Sequence, residues 1–246
     1  MLQRASSAVL STTTLLEADE NEDSIGFYMK SGFCYSDVKC FIPMVVSMAL
    51  IAIWFSDKTS NYLDKESMEK RKQLISSIED LPRRIHYNLG ENDLKIYKKI
   101  AETLKNQTDI FILAKGTGFF AANYTAQKFL QISGIHAEAY PSGEFRHGPL
   151  SMIDEKAQTP VFFILLDDEH MDQIIANIMQ IKSRGATTVI LSNLENVMAH
   201  IDVEKHIDFL IHLDPNAGTL AALQAIPPLQ MISYYTALAR GLNPDQ

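Results

Sequence analysis

The segment 140–149 carries the side chains best suited to acid–base chemistry. Glu144, Arg146 and His147 fall within four residues, between two glycines and two prolines. A carboxylate and an imidazole on a rigid loop can move protons on a polar ligand, and a guanidinium can bind an anion. The alternative is a structural cluster in which Arg146 pairs with Glu144 and His147 caps a carbonyl group.

A glycine-containing turn at 115–121 is the second candidate. Its pattern, G-x-G-x-x-A, follows an apolar run, and Glu138 lies 138 − 116 = 22 residues beyond Gly116. This fits the loose dinucleotide fingerprint, and NAD(H) binding is therefore one alternative. A phosphate at the helix N-terminus or a simple tight turn would produce the same pattern. We expect Gly116 and Thr117 to border a cleft.

A polar stripe on the following helix is the third candidate. Tyr124, Lys128 and Gln131 are spaced four and three residues apart, which places them on one helical face. Lys128 could hold an anionic substrate if that face borders the cleft. A solvated helix face is the alternative.

The elements that position these residues follow a regular alternation from Thr108 onward. Short apolar strands alternating with amphipathic helices predict a parallel sheet covered on both faces. Ligands of such sheets bind at the carboxyl ends of strands, near a switch point. The predicted strands are 110–113, 136–140, 161–166, 187–191 and 209–213. The predicted helices are 119–132, 171–183, 195–203 and 219–240, the last kinked or restarted at Pro227-Pro228.

The earlier part of the chain offers too few elements to close a core of its own. Its predicted strands are 8–11 and 24–29, followed by a helix at 37–55. Two polar helices, 65–81 and 91–106, come next, and Pro82 is expected to end the first of them.

Composition excludes several classes of function. Lys plus Arg number 22 and Asp plus Glu number 30, a net charge of −8 that argues against nucleic-acid binding. The apolar run 44–55 is too short to span a bilayer. Cys34 and Cys40 are too few for a disulfide framework, and the histidines show no metal-type spacing. We therefore expect a cytoplasmic protein without a metal or a membrane partner.

The segment Gln131–Asp154, QISGIHAEAYPSGEFRHGPLSMID, resembles the second sugar isomerase (SIS) domain of glutamine–fructose-6-phosphate aminotransferases. Ile226–Gln230 continues the resemblance, and Asp37–Phe41 looks like the S-T-K-A-F motif of the family's first SIS domain. The resemblance implies an α/β fold, a three-layer αβα sandwich with a parallel, flavodoxin-like sheet. It also implies three parts: a C-terminal remnant of a first SIS domain (1–61), connecting helices (62–106) and a second SIS domain (107–246).

Site roles also follow from the resemblance. His147 matches a histidine that assists ring opening, and Lys128 matches the family's helix lysine. Gln131 stands where the family has a proton-shuttling glutamate, and an amide cannot act as that base. Glu144 is the remaining candidate for acid–base chemistry. The residues expected to bind substrate are Lys128, Gly116, Thr117, Ser36, Lys39 and Arg146.

The function expected from the resemblance is that of an aldose–ketose isomerase or aminotransferase-like protein of the fructose 6-phosphate and glucosamine 6-phosphate type. The family's phosphate loop and Schiff-base lysine find no match, so the chain is interpreted as truncated or catalytically altered. A non-catalytic module that binds hexose phosphates is the alternative. We expect no cofactor, a phosphorylated hexose or amino sugar as ligand, and a homodimer or larger assembly.

Overall fold

The computed structural model describes residues 14–18, 25–29, 41–58, 64–215 and 218–244, which fall into two compact units. The first unit lies within residues 1–83 and includes 218–220. The second lies within 84–217 and 221–246.

The first unit contains a hairpin and helical segments. Strands β1 (Thr14–Ala18) and β2 (Ile25–Met29) pair antiparallel, which confirms the strand predicted at 24–29. Helix α1 spans Phe41–Lys58, and the predicted strand at 8–11 lies outside the described residues. One side of α1 is covered and another is not, since Val46 and Leu50 are buried whereas Met48 is 70% exposed.

Helix α2 contradicts the prediction that Pro82 ends it, because it runs from Lys65 to Tyr87 with the proline inside. The φ angle of proline is compatible with a helix, so the penalty is mainly the lost hydrogen bond and the crowding of the preceding turn. Ile78 and Leu81, just before Pro82, are fully buried. Burial of this apolar face stabilises the helical backbone against that penalty.

The second unit is built on a five-stranded parallel sheet in the order β4-β3-β5-β6-β7. Renumbered within the sheet, this is the flavodoxin-like order 2-1-3-4-5, whose switch point lies between β3 and β5. All five predicted strands and the predicted fold class are confirmed. The strands are β3 (Asp109–Ala114), β4 (His136–Pro141), β5 (Pro160–Leu165), β6 (Thr187–Ser192) and β7 (Phe209–His212).

Helices follow the strands as expected, with one correction. The prediction of a helix at 195–203 is wrong: the segment holds a 3₁₀ turn at Val197–Ala199, and a short helix, α6 (Val203–His206), begins only at its end. Asp202 caps α6 by accepting a hydrogen bond from the backbone of Lys205 at 3.3 Å, which favours a late helix start. The helices are α3 (Glu91–Leu104), α4 (Thr117–Ser133), α5 (Met171–Lys182), α6 (Val203–His206) and α7 (Ile226–Ala239).

Helix α7 confirms the predicted restart at the two prolines. A 3₁₀ segment, Gly218–Ala225, precedes it, and Pro227 and Pro228 lie in its first turn. Proline is tolerated there because the first backbone N–H groups of a helix have no partner within it.

The two faces of the sheet carry different layers. On one face, Phe129 of α4 packs against Phe162 of β5 with ring centroids 5.6 Å apart, and α7 packs against α3 and α4. On the other face, Phe111 and Phe163 join a buried cluster with Ile174 and Ile178 of α5. Strand residues point alternately to the two faces, so these layers enclose the sheet from both sides.

Candidate functional site

The loop after β4 is anchored by one aromatic side chain. Phe145 is fully buried, with its ring 5.0 Å from that of Phe111 and 5.7 Å from that of Tyr140. Its neighbours Glu144 and Arg146 are exposed, as is His147. The 3₁₀ turn therefore buries the apolar residue and leaves the three polar candidates at the surface.

Arg146 does not pair with Glu144 in the described part of the chain. Its guanidinium donates instead to the amide oxygen of Asn177 on α5. Asn177 is buried, and its amide nitrogen donates to both the carbonyl and the hydroxyl oxygen of Ser142. The predicted pairing of Arg146 with Glu144 is therefore wrong: Arg146 ties the loop to α5 through Asn177.

Tyr140 closes the strand side of this loop. Burial, and then a hydrogen bond and charge repulsion from Glu138, raise the pKa of the Tyr140 phenol above its ordinary value. The phenol is therefore protonated at neutral pH by a wider margin than an ordinary tyrosine.

The turn after β3 meets the turn after β5 at the switch point. Gly116 has a φ of +58°, and a Cβ added there would lie 3.0 Å from the His170 ring and 3.9 Å from an Asp168 carboxylate oxygen. A side chain at this position would therefore be both strained and crowded. Thr117 begins α4 and is exposed.

Gln173 links this turn to the loop after β4. Its amide oxygen accepts a hydrogen bond from Lys115, and its amide nitrogen would lie 3.4 Å from a Cβ added at Gly143. The loops after β3, β4 and β5 are thus brought to one edge of the sheet. We name Lys115, Gly116, Asp168, His170 and Gln173 the carboxyl-edge cluster.

Sequence reasoning missed Asp168 and His170. Neither residue belongs to a recognisable motif, and no role was predicted for His170. The signal that could have found them is topological, because the strand next to β3 at the switch point is β5, and both residues follow β5 directly. That order of strands is fixed by tertiary packing.

The polar stripe on α4 forms a second, separate group, which we name the α4 stripe: Tyr124, Lys128 and Gln131. Lys128 is only 4% exposed, and its ammonium donates to the Gln131 side-chain oxygen at 2.9 Å. The same ammonium lies 5.3 Å from the centre of the Tyr124 ring. The predicted juxtaposition is therefore present, although the lysine is buried and not solvated.

Helix α7 supports the α4 stripe from the side. Gln230 donates to the Tyr124 hydroxyl at 3.4 Å, and the Ser233 hydroxyl donates to the backbone carbonyl of Lys128 at 3.3 Å. No carboxylate pairs with Lys128 in the part of the chain that the structure describes. The charge is therefore held by one amide oxygen and one aromatic face.

The α4 stripe and the loop after β4 lie far apart in one chain. Lys128 is 128 − 117 = 11 residues into α4, about 16 Å from the edge where the helix begins. Helix α4 packs on the Phe162 face of the sheet, whereas Phe145 packs on the Phe111 face. Helix α4, which carries Lys128, and the Phe145 ring, which anchors the turn with His147, therefore pack on opposite faces of the sheet. Lys128 lies toward the amino ends of the strands, whereas the turn follows a carboxyl end.

The remaining expectations concern two substrate-binding residues, metal sites and membrane-spanning helices. Ser36 and Lys39 lie outside the described residues. Among residues 41–58, 64–215 and 218–244, no group of three or more His, Cys, Asp or Glu side chains is arranged to hold a metal ion. No helix in the same ranges is long and apolar enough to cross a membrane.

Sheet order and helix layers define a doubly wound α/β domain. Within that class, the model of the SIS domain matches residues 103–240. The chain therefore belongs to the SIS domain family, as its sequence predicts.

Within this family, the chain is similar to glutamine–fructose-6-phosphate aminotransferases. The glutamine–fructose-6-phosphate aminotransferase (isomerizing) of Buchnera aphidicola is 35% identical over 175 residues, 71% of this chain and 27% of the relative. That of Caldanaerobacter subterraneus is 27% identical over 213 residues, 86% of this chain and 33% of the relative. The chain spans about a third of the length of these curated relatives.

A solved structure agrees with them. The C-terminal domain of glucosamine-fructose-6-phosphate aminotransferase from Francisella tularensis superposes with a TM-score of 0.77 at 26% identity. The match covers 91% of this chain and 60% of that one. The predicted resemblance to the isomerase domain of these aminotransferases is confirmed.

Proposed function

We propose that this chain binds a phosphorylated hexose or amino sugar, of the fructose 6-phosphate and glucosamine 6-phosphate type, at a site of isomerase ancestry. Membership of the SIS family and the names of the aminotransferase relatives support this class of ligand. We also propose that residues 107–246 form the second SIS domain, with 62–106 as connecting helices and 1–61 as a first-domain remnant.

The observation that carries the proposal is the burial of Lys128. Lysine is rarely buried without an ion-pair partner, because the protein interior penalises an uncompensated charge. Among the described residues, the Lys128 ammonium interacts with the Gln131 side-chain oxygen and the Tyr124 ring, and with no carboxylate. An anionic ligand would supply the missing negative charge, and a sugar phosphate is such a ligand.

A complete site needs two copies of the chain. Lys128 and His147 belong to elements that pack on opposite faces of the sheet, so we expect one sugar phosphate to contact both only where a second subunit contributes one of them. Isologous dimers repeat every contact twice and would form two such sites. We therefore propose a homodimer or larger homo-oligomer.

Catalysis at this site would transfer a proton between C1 and C2 of the sugar. His147 and Glu144 are the groups proposed for this acid–base work, since both are exposed on an anchored turn. Lys128 would hold the ligand, and the carboxyl-edge cluster together with Thr117 would border the cleft.

A regulatory module that binds hexose phosphates without turnover is the second candidate. One observation favours it: Gln131, which replaces the glutamate expected from the resemblance, uses its side-chain oxygen to hold Lys128. An amide in that place can bind a ligand but cannot shuttle a proton.

Titration calorimetry with fructose 6-phosphate and glucosamine 6-phosphate tests the proposal, with a coupled isomerase assay run on the same preparation. We expect saturable binding of at least one sugar phosphate and none of unphosphorylated fructose. Binding with product formation supports the enzyme, and binding without product supports the module. No binding of either phosphate, in a preparation shown to be folded and oligomeric, would overturn both.

A further inference from the structure

We propose that Asn177 is the positioning residue of this site: it holds the loop after β4 so that His147 meets the ligand. The inference rests on the function proposed above and deepens it. Asn177 itself touches no ligand in this scheme and acts only through the loop.

All hydrogen bonds of the Asn177 amide go to this loop. The side chain is 1% exposed on α5. Its nitrogen donates to the Ser142 carbonyl oxygen at 2.9 Å and to the Ser142 hydroxyl at 2.7 Å, and its oxygen accepts from the Arg146 guanidinium. Both N–H donors and the carbonyl acceptor are therefore engaged.

These contacts bracket the chemically active turn. Ser142 is fully buried, and its backbone N–H donates to the Ala114 carbonyl at 2.8 Å, which ties it to the end of β3. Arg146 directly precedes His147. Phe145 fixes the middle of the turn by burial, whereas Asn177 fixes both ends.

The surroundings of Asn177 argue against a purely packing role. The other buried residues of α5 are Ile174, Ile175, Ile178 and Ile181. An apolar residue would extend this face without the cost of burying an amide. The amide is accommodated because Ser142 and Arg146 satisfy it, and what it provides in return is a fixed loop.

A double-mutant cycle on binding tests the inference. His147→Ala is measured by calorimetry in three backgrounds: the native chain, Asn177→Ala and the control Gln224→Ala. Gln224 is a matched buried amide, 1% exposed, that bonds the backbone of Asp214 and lies outside the site. Coupling between two positions appears as non-additivity of their effects.

We expect His147→Ala to weaken sugar-phosphate binding about tenfold in the native and Gln224→Ala backgrounds, and by less than about twofold after Asn177→Ala. Once the loop is displaced, His147 no longer contacts the ligand, so its removal has little further effect on affinity. An equal effect in all three backgrounds would overturn the inference. If Asn177→Ala fails to fold, Ser142→Ala removes one acceptor only and should show the same coupling, smaller in size.

Hydrogen exchange provides an arm that needs no ligand. Asn177→Ala should accelerate exchange of the backbone amides at 143–148 about tenfold and leave β6 unchanged. Unchanged loop exchange would overturn the positioning role. Absence of sugar-phosphate binding by the native chain would refute the proposed function instead, and faster loop exchange in Asn177→Ala would then still support positioning of the loop.

Discussion

Replacing Lys128 with methionine should stabilise the protein and weaken its ligand binding at the same time. The two side chains have similar length, so the substitution mainly removes the charge. It forfeits a charged hydrogen bond to Gln131, about 1.5–3 kcal/mol, and a contact with the Tyr124 ring, about 0.5–2 kcal/mol. It also removes the desolvation cost of an ammonium that has no counterion among the described residues.

The net change expected for Lys128→Met is a gain of about 1–2 kcal/mol in the free energy of unfolding. Affinity for the sugar phosphate should fall roughly 10- to 150-fold, the equivalent of one charged hydrogen bond. Urea denaturation measures the first quantity, and titration calorimetry measures the second. A stabilised variant that no longer binds would show that the lysine is kept for its ligand.

Lys182→Met is the matched control for this prediction. Lys182 donates to Asp208 at 2.6 Å and to the Ala186 carbonyl at 3.1 Å, so its loss should destabilise the protein without changing affinity. The reasoning about Lys128 is refuted if its substitution lowers stability by more than about 1 kcal/mol and leaves binding intact. Lys128 would then be a structural residue.

The remaining predictions concern subunit assembly, the Gln131 side chain and the pH dependence of stability. Mixing Lys128→Met with His147→Ala subunits should restore binding at about a quarter of the sites after random exchange into dimers, and no recovery despite proven exchange would contradict the shared site. Gln131→Glu should raise isomerase activity if that amide alone blocks catalysis, whereas an unchanged rate in the coupled assay points to other missing groups. Burial raises the pKa of Asp208, but hydrogen bonds from Lys182 and the Thr188 backbone together lower it by more. The pKa in the folded protein is therefore below that in the unfolded chain. The stabilisation from Asp208 is therefore present above about pH 4 and is lost as pH falls through the folded pKa. Asp208→Asn should lower the free energy of unfolding by about 1 kcal/mol at pH 7 and by less at pH 3, as measured by urea denaturation.

The sheet was predictable from the sequence because its strands are short apolar runs between turn residues. Phe162, for example, lies in a run of six buried residues. Errors arose where local signals compete with tertiary packing. Pro82 is a local helix breaker, yet it lies inside α2, where buried neighbours stabilise the helical backbone. Conversely, the apolar spacing within 195–203 resembles a helix, but Asp202 caps a later one.

The site was predictable only in part, for a similar reason. Motifs along the chain predicted Lys128 and His147 as candidate site residues. They could not show that the elements carrying the two residues pack on opposite faces of the sheet, since that depends on tertiary packing. The partner of Arg146 was also beyond reach, because Asn177 lies 31 residues away on a helix whose pattern is otherwise apolar.

The turn around Phe145 separates the determinants of shape from those of chemistry. Its form depends on one buried ring and on the amide behind it, while Glu144 and His147 contribute almost nothing to the core. Exchanging these exposed residues would change the polar groups that the turn presents at small thermodynamic cost. The same framework can therefore present different polar groups at this turn after a few surface substitutions, without refolding.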